Sequence, residues 1–339
     1  MSSILYLPAH SVLECDEVRL LQSLGHNVYT VSSLLSQKEP FADTSKIDTT
    51  YLNTLRGFHK DLPQSRQQLT AAFMSLFDTV ISVHDYRWLQ ENRQLLTGKR
   101  CILRTIGQYL PSHEAELRGI TERNFEVVRY SPAEQNIQGY AGHDAIIRFY
   151  KDPDEYGGWT GETRAILCFG NTLLRRPSQV LLSFMLQATA GFDLRLYGGS
   201  NEGLSAWRGK AKPEDMVSLY KTHAVYYSHH TLPASYTLSF IEALMTGTPV
   251  VAPGFKALVN ATLGGGFRDA AAFYEVPSIV ENGKSGYTVN SVEEAHAAFA
   301  LVLADQKAAA AIGAAGRRMA ISLFGIETVR AQWQRFLGN

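Results

Sequence analysis

Short apolar runs alternate with amphipathic stretches along most of the chain. The first run, Ile4–Leu7, predicts a buried strand. Apolar residues at helical spacing then predict a helix over Cys15–Leu24, which Gly25 ends. The next apolar run, Asn27–Val31, predicts a second strand. Strand, helix and strand in this order are typical of a βαβ unit, whose strands are parallel and whose crossover is right-handed. The chain therefore begins as an α/β fold.

The alternation is interrupted once, over residues 151–162, which contain Pro153 and three glycines but no apolar run. This composition predicts a linker between two domains. Further strands are predicted before it at Thr79–Val83, Arg100–Thr105, Val127–Tyr130 and Ala145–Phe149. Strands and helices after it are predicted at Ala165–Phe169, Pro177–Thr189, Leu194–Tyr197, Pro213–Thr222, Val225–Tyr227, Leu238–Thr246, Val250–Ala252, Val292–Ala304 and Gln306–Leu323. We therefore predict two doubly wound domains, over residues 1–155 and 160–322, which face a cleft. Ligands of such sheets bind at the carboxyl ends of the strands.

Composition narrows the function further. The 339 residues suit two α/β domains. Lys plus Arg and Asp plus Glu both total 32, whereas a dedicated nucleic-acid binder usually carries a basic excess. Three distant cysteines, Cys15, Cys101 and Cys168, predict neither a disulfide framework nor a zinc site. No apolar run approaches the roughly 18 residues of a membrane span, so we expect a cytoplasmic protein without a transmembrane segment.

The most informative stretch is 225–253, which predicts a strand, a loop, a helix, a glycine turn and another strand. Ser235, Thr237 and Ser239 crowd the N-terminus of this helix. Unpaired amides and the helix dipole make that end a natural seat for a diphosphate. The carboxylate of Glu242, near the start of the helix, can accept two ribose hydroxyls. The alternative for Glu242 is a solvated helix residue.

This stretch resembles the signature of the retaining glycosyltransferases of family 4, Glu-Gly-Phe-Gly-Leu-x-x-x-Glu-Ala-x-x-x-Gly-x-Pro-Val-Val-Ala. The residues that match it in register are Leu238, Glu242, Ala243, Gly247, Pro249, Val250, Val251 and Ala252. Residues 276–289 also resemble the family's downstream Ile-Pro-Glu-Ile-Val segment. The resemblance implies a GT-B fold, in which a C-terminal helix, here 323–339, returns to the first domain. It also implies metal-independent transfer of a hexosyl or pentosyl group, with retention, from a UDP- or GDP-sugar.

A second match is the segment 169–176, which resembles the family's Gly-Arg-Leu-x-x-x-Lys loop around the diphosphate. Arg176 falls on the lysine, Asn171 falls on the arginine, and Arg175 is placed to compensate for the lost charge. The resemblance implies that Arg176 acts in catalysis, because a departing nucleoside diphosphate gains negative charge. The alternative is a solvated arginine pair. Residues assigned to the donor are Gly170, Asn171, Arg175, Arg176, Gly199, Lys210, Ser235, Tyr236, Thr237, Leu238, Ser239 and Glu242.

The sequence also departs from the family at Ala234, at Gly107 and over Ser235-Tyr236-Thr237. Ala234 stands where the family has the first motif glutamate, and Gly107 stands where it has a histidine. Ser235-Tyr236-Thr237 replaces Gly-Phe-Gly, which adds hydroxyl groups. Because Ala234 cannot hydrogen-bond through its side chain, sugar recognition must differ, and our hypothesis is a donor sugar with fewer or differently placed hydroxyls.

Candidate acceptor residues lie in the N-terminal half, at predicted strand ends. His84 and Asp85 follow a strand, and such a pair can orient an acceptor hydroxyl or take its proton. His10 and Ser11 lie in the first loop, where a surface histidine is the alternative. The acceptor is a glycan, a lipid, a small molecule or a modified nucleic-acid base, and the oligomeric state is left open. Rival functions are a nucleotide-sugar epimerase and a nucleotide-sugar-binding protein without catalysis.

Overall fold

The computed structural model describes residues 2–31, 44–59, 61–107, 110–178, 180–262 and 268–338. Within these residues no single helix is long and apolar enough to cross a membrane, and the helix pair 292–304 and 306–324 meets that test only when joined across a 109° bend.

The first lobe contains a six-stranded parallel sheet with the order β2-β1-β3-β4-β5-β6. Its strands are β1 Ser3–Leu7, β2 Asn27–Thr30, β3 Thr79–Val83, β4 Arg100–Arg104, β5 Glu126–Arg129 and β6 Ala145–Ile146. Helices pack on this sheet: α1 Ser11–Ser23, α2 Thr50–Phe58, α3 Ala71–Met74, α4 Tyr86–Glu91 and α5 Pro111–Gly119. Residues 4–7 of β1 are fully buried, as expected for a central parallel strand covered on both faces.

Helix α1 begins four residues earlier than predicted because His10 caps it. The Nδ1 atom of His10 accepts a hydrogen bond from the amide of Leu13 at 3.4 Å. A capping side chain satisfies one of the amides that a helix start leaves unpaired. The cap therefore holds the imidazole at the carboxyl end of β1.

The second lobe contains a five-stranded parallel sheet with the order β11-β10-β9-β7-β8. Its strands are β7 Thr163–Phe169, β8 Leu194–Tyr197, β9 His223–Tyr227, β10 Val250–Pro253 and β11 Tyr287–Val289. The remaining helices are α6 Leu182–Ala188, α7 Pro213–Thr222, α8 Leu238–Thr246, α9 Phe255–Thr262, α10 Val276–Ile279, α11 Val292–Ala304, α12 Gln306–Phe324 and α13 Ile326–Leu337. The helix predicted from Pro177 begins only at Leu182, because Leu181 has a φ of 50° that a right-handed helix cannot contain.

The chain passes between the lobes twice at one place. Lys151, where the segment between the two sheets begins, forms a parallel bridge with Gly325, at the junction of α12 and α13. Helix α13 then lies on the first lobe, where its Trp333 is completely buried beside the guanidinium of Arg104. Arg100 donates hydrogen bonds to the last carbonyls of α13, at 2.9 and 3.1 Å. These contacts fix the C-terminal helix against the first sheet.

Aromatic residues fill the contact between the lobes. The ring of Tyr236 lies 5.2 Å from Tyr130, 6.1 Å from Phe149 and 5.1 Å from Phe324. Edge-to-face pairs of this kind add to the stabilisation that burial alone provides. The lobes are therefore joined by a packed core on one side of the cleft.

Candidate functional site

A cavity of about 730 Å³ lies between the two lobes. Its walls come from residues that follow strands of both sheets: His10 follows β1, Gly107 follows β4, Gly170 follows β7, and His229 follows β9. In parallel α/β sheets the ligand site is the crevice at these carboxyl ends. The position of the cavity agrees with the cleft predicted from the sequence.

The N-terminus of α8 forms one wall of the cavity. Thr237 is the cap, and its hydroxyl accepts a hydrogen bond from the amide of Phe240 at 3.3 Å. Thr237, Leu238 and Ser239 all line the cavity. The positive end of the helix dipole therefore faces the space between the lobes.

Glu242 lies on the same wall and is nearly buried, with 7% of its surface exposed. Its Oε1 atom is 2.7 Å from the ammonium of Lys151, and its Oε2 atom is 3.2 Å from the hydroxyl of Tyr220. Glu242 is thus neither solvated nor unpaired. Sequence reasoning placed Lys151 in the linker, because a lysine after an apolar run carries no signal of a buried ion pair.

Arg176 reaches the cavity from the loop after β7. One Nη donates to the carbonyl of Asn171 at 3.1 Å, and the Nε atom is buried without a hydrogen-bond partner among the described residues. Burial lowers the pKa of this guanidinium, which still stays protonated. Arg176 and Glu242 therefore line one cavity, as the sequence argument required.

The loops after β7 and β8 pack backbone to backbone beside Arg176. The Oδ1 atom of Asn171 accepts from the amide of Gly199 at 2.6 Å. A Cβ atom on Gly198, whose φ is 142°, would lie 1.9 Å from the carbonyl oxygen of Gly170. Only glycine fits at position 198. Asn171 holds the loop of Gly199 in place, and Gly170 and Asn171 line the cavity, whereas Gly199, which was predicted to contact the donor, does not.

Several predicted site residues lie outside the cavity wall. Arg175 and Lys210 are exposed, and the Lys210 side chain runs beside Gly199. Ser235 is completely buried, and its amide donates to the hydroxyl of Tyr130 at 2.6 Å. Ser11 is also absent from the wall, since it occupies the first turn of α1 behind its cap.

The hydroxyl of Tyr236 does not face the cavity, contrary to the expected gain of hydroxyls around the donor. It donates to the carbonyl of Tyr130 at 2.6 Å, although Tyr236 is one of the residues that line the cavity. The reason is that the ring of Tyr236 packs against Tyr130 and Phe149 in the aromatic core between the lobes. Tyr236 therefore joins the lobes.

The His84–Asp85 pair lies at a strand end, as predicted, but beside the cavity and not on its wall. The Oδ1 atom of Asp85 caps α4 by accepting from the amide of Trp88 at 2.9 Å, and Oδ2 pairs with Arg66. Arg66 also donates to the carbonyl of Pro8 at 3.2 Å. Asp85 is thus engaged in holding two loops together, and we do not count this pair among the ligand-contacting residues.

His229 and His230 line the cavity at the end of β9, although sequence reasoning gave them little weight. His229 Nε2 is 3.0 Å from the carbonyl of Phe169, and burial lowers the pKa of His229 to about 4. His230 has a φ of 62°, its ring lies 4.3 Å from that of Tyr274, and burial lowers its pKa to about 3. Both imidazoles are therefore neutral. Their place directly after a central strand was the available signal.

Gly107 and Ala234, where the sequence departs from the pattern that it resembles, approach each other across the cleft. A Cβ atom on Gly107 would lie 2.5 Å from the Cβ of Ala234 and 2.8 Å from its Cα. No side chain fits at position 107 while the lobes keep this arrangement. Gly107 and Ala234 therefore mark the place where the loop after β4 in the first lobe approaches the loop before α8.

No protein-family model matches the sequence, and no curated protein matches it. Solved structures do match the fold. The Anabaena Alr3699/HepE protein, in complex with UDP and glucose, aligns with a TM-score of 0.67, 15% identity and 100% of both chains covered. Sucrose-phosphate synthase from Thermosynechococcus elongatus aligns with a TM-score of 0.64 and 16% identity, over 99% of this chain and 98% of its own.

A glycosyltransferase from Rickettsia africae aligns with a TM-score of 0.65 and 14% identity, over 99% of both chains. The predicted fold class is confirmed: two parallel sheets with surrounding helices, in the GT-B arrangement. At these identities the likeness concerns the fold.

Proposed function

We propose that this protein is a glycosyltransferase that moves a hexosyl or pentosyl group from a UDP- or GDP-sugar to an acceptor hydroxyl, with retention and without a metal. The observation that carries the proposal is that the α8 N-terminus, Glu242 and Arg176 all line the same interlobe cavity. An anion-binding helix end and a guanidinium match the diphosphate of a nucleoside diphosphate, and a diol-binding carboxylate matches its ribose. The HepE complexes with UDP, glucose and UDP-glucose support a donor of this class.

In this proposal each group has one role. Glu242 accepts the two ribose hydroxyls, and the amides at the start of α8 hold the diphosphate. Arg176 stabilises the charge that grows on the leaving phosphate, which is where a preorganised cation contributes most. The sugar lies toward His229, His230 and Ala234, and the acceptor enters from the side of His10.

His10 suits the acceptor side as a neutral group. Its Nδ1 accepts from Leu13, so Nε2 carries the proton and is a donor. The cavity walls lower the pKa of the imidazole by desolvation, and nearby Lys151 lowers it further. A neutral donor can orient an acceptor hydroxyl without adding a charge.

A panel of nucleotides and nucleotide sugars, followed by thermal shift, tests the proposal. A ligand that binds only the native state stabilises it by about 2.7 kcal/mol at a hundred times its Kd. We expect one nucleoside diphosphate and its sugar to raise the melting temperature, and Glu242→Ala to abolish that rise.

The matched control is Glu281→Ala, since Glu281 is 65% exposed and pairs only with a surface lysine among the described residues. It should keep the full shift. If no nucleotide stabilises the protein, or if Glu242→Ala responds like the wild type, the proposal is wrong. Release of free sugar or of a glycosylated acceptor, followed by NMR, then establishes turnover and stereochemistry.

A further inference from the structure

Lys151 is a buried cation at the point where the chain crosses between the lobes. Only 5% of its surface is exposed, and its amide donates to the carbonyl of Phe324 at 2.9 Å. The ammonium lies 2.7 Å from Glu242 Oε1 in the second lobe and 3.0 Å from Asp16 Oδ2 in the first. The Lys151 side chain therefore connects helices α1 and α8 to the segment between the two sheets.

The bonds to Glu242 leave a specific acceptor pattern free. A carboxylate has two lone-pair sites on each oxygen. Lys151 takes one site on Oε1, and the Tyr220 hydroxyl, which also lies 3.2 Å from the Ser239 carbonyl, takes one on Oε2. Among the described residues nothing else bonds to the Glu242 carboxylate, so one site on each oxygen remains, and Glu242 lines the cavity. Two neighbouring acceptor oxygens match the two hydroxyls of a vicinal diol.

Lys151 is a charged partner for the carboxylates of Asp16 and Glu242. Burial alone would lower the pKa of Lys151, but the carboxylates of Asp16 and Glu242 raise it well above its ordinary value. The ammonium therefore donates to Glu242 as a charged group, and hydrogen bonds from a charged donor are stronger than neutral ones.

We propose that Lys151, together with Tyr220, is a positioning residue that presents Glu242 as a two-point acceptor for the ribose diol of the nucleotide. Asp16 holds Lys151 in place from the other lobe. This inference rests on the proposed function, because it concerns the nucleotide that the glycosyltransferase would bind.

The test compares nucleotides that differ only in the diol. Calorimetric Kd values are measured for UDP, GDP and ADP and for their 2′,3′-dideoxy forms, with the wild type, Lys151→Met and Lys151→Arg. We expect Lys151→Met to weaken the preferred ribonucleotide by roughly tenfold or more, the range for a hydrogen bond to a charged group, and to leave its dideoxy form unchanged. Lys151→Arg keeps the cation and should keep the preference for the ribonucleotide over its dideoxy form.

Arg148→Met is the matched control. Arg148 is a partly buried cation of the first lobe that pairs with a carboxylate of the second, Glu275. The Arg148→Met variant removes an interlobe ion pair and leaves Glu242 and its partners unchanged. We expect this variant to change the Kd values of the ribose and dideoxy forms by the same factor. It therefore measures any general loosening of the lobes separately from an effect on the ribose.

Each result decides the matter. An equal loss of both nucleotide forms in Lys151→Met, or no loss, overturns the positioning role while the proposed function stands. If the wild type binds no nucleotide, the proposed function falls and this inference with it. Should Lys151→Met fail to fold, Tyr220→Phe removes only a hydroxyl and carries the same comparison, in which an equal effect on both forms again overturns the role.

Discussion

Gly107→Ala is expected to force the lobes apart, because position 107 has no room for a methyl group. The added Cβ would lie 2.5 Å from the Cβ of Ala234 and 2.8 Å from its Cα. Carbon atoms in contact prefer about 3.5–4.0 Å, so the two loops must separate by roughly 1 Å. The Cα is backbone and cannot rotate away.

The loop opposite Gly107 is also held in place. The amide of Ser235, the residue after Ala234, donates to the hydroxyl of Tyr130 at 2.6 Å. That hydroxyl would itself lie 3.2 Å from the new Cβ. Overpacking of a fixed contact costs about 1–3 kcal/mol. In a lobe of this size that corresponds to a fall in melting temperature on the order of 2–10 °C.

Denaturation followed by circular dichroism, with nucleotide Kd values beside it, measures the effect. Ala234→Gly removes one of the two clashing atoms, so Gly107→Ala should destabilise less in that background, as a double-mutant cycle detects. Gly57→Ala is the control, because a Cβ there meets nothing within 4 Å. A Gly107→Ala protein with wild-type stability and affinity would show that the lobes do not meet as described.

Two further predictions concern Arg176 and His229. Arg176→Met should lower the rate of sugar transfer by about 10²–10³-fold, because removal of one preorganised charge-stabilising group has this effect. Single-turnover assays of donor consumption measure this rate, and an unchanged rate would contradict the assignment. Burial lowers the pKa of His229 to about 4, below the value near 6.5 expected in the unfolded chain, so stability should be full above about pH 6.5 and fall toward pH 4. Urea titrations across this pH range should show that the free energy of unfolding of His229→Asn falls less steeply toward low pH than that of the wild type. An equally steep fall would contradict the assignment.

The predicted fold followed from local patterns that the structure keeps. Leu238–Thr246 matched α8 at both ends, because a threonine cap precedes it and Gly247 takes the left-handed conformation that ends it. The start of α1 and the start of α6 differed from the prediction. His10 extends the first helix as an unusual cap, and the left-handed Leu181 shortens the other. Neither conformation has a signal in the hydrophobic period.

The site was predictable only where it is local to a motif. Thr237, Ser239 and Glu242 lie at or in one helix, and Arg176 lies in a loop that follows a strand. Their presence around one cavity could therefore be predicted. The ion pair of Lys151 could not, because it joins residues 91 positions apart. The hydroxyl of Tyr236 turned away from the cavity for a similar reason: its partner, Tyr130, belongs to the other lobe.

A crystal structure with the nucleoside diphosphate that gives the largest thermal shift tests the central claim most directly. We predict both ribose hydroxyls within hydrogen-bonding distance of Glu242, which keeps its contact with Lys151. The diphosphate should lie between the first amides of α8 and the guanidinium of Arg176. A nucleotide bound with its phosphates away from α8, or outside the interlobe cavity, would contradict the account.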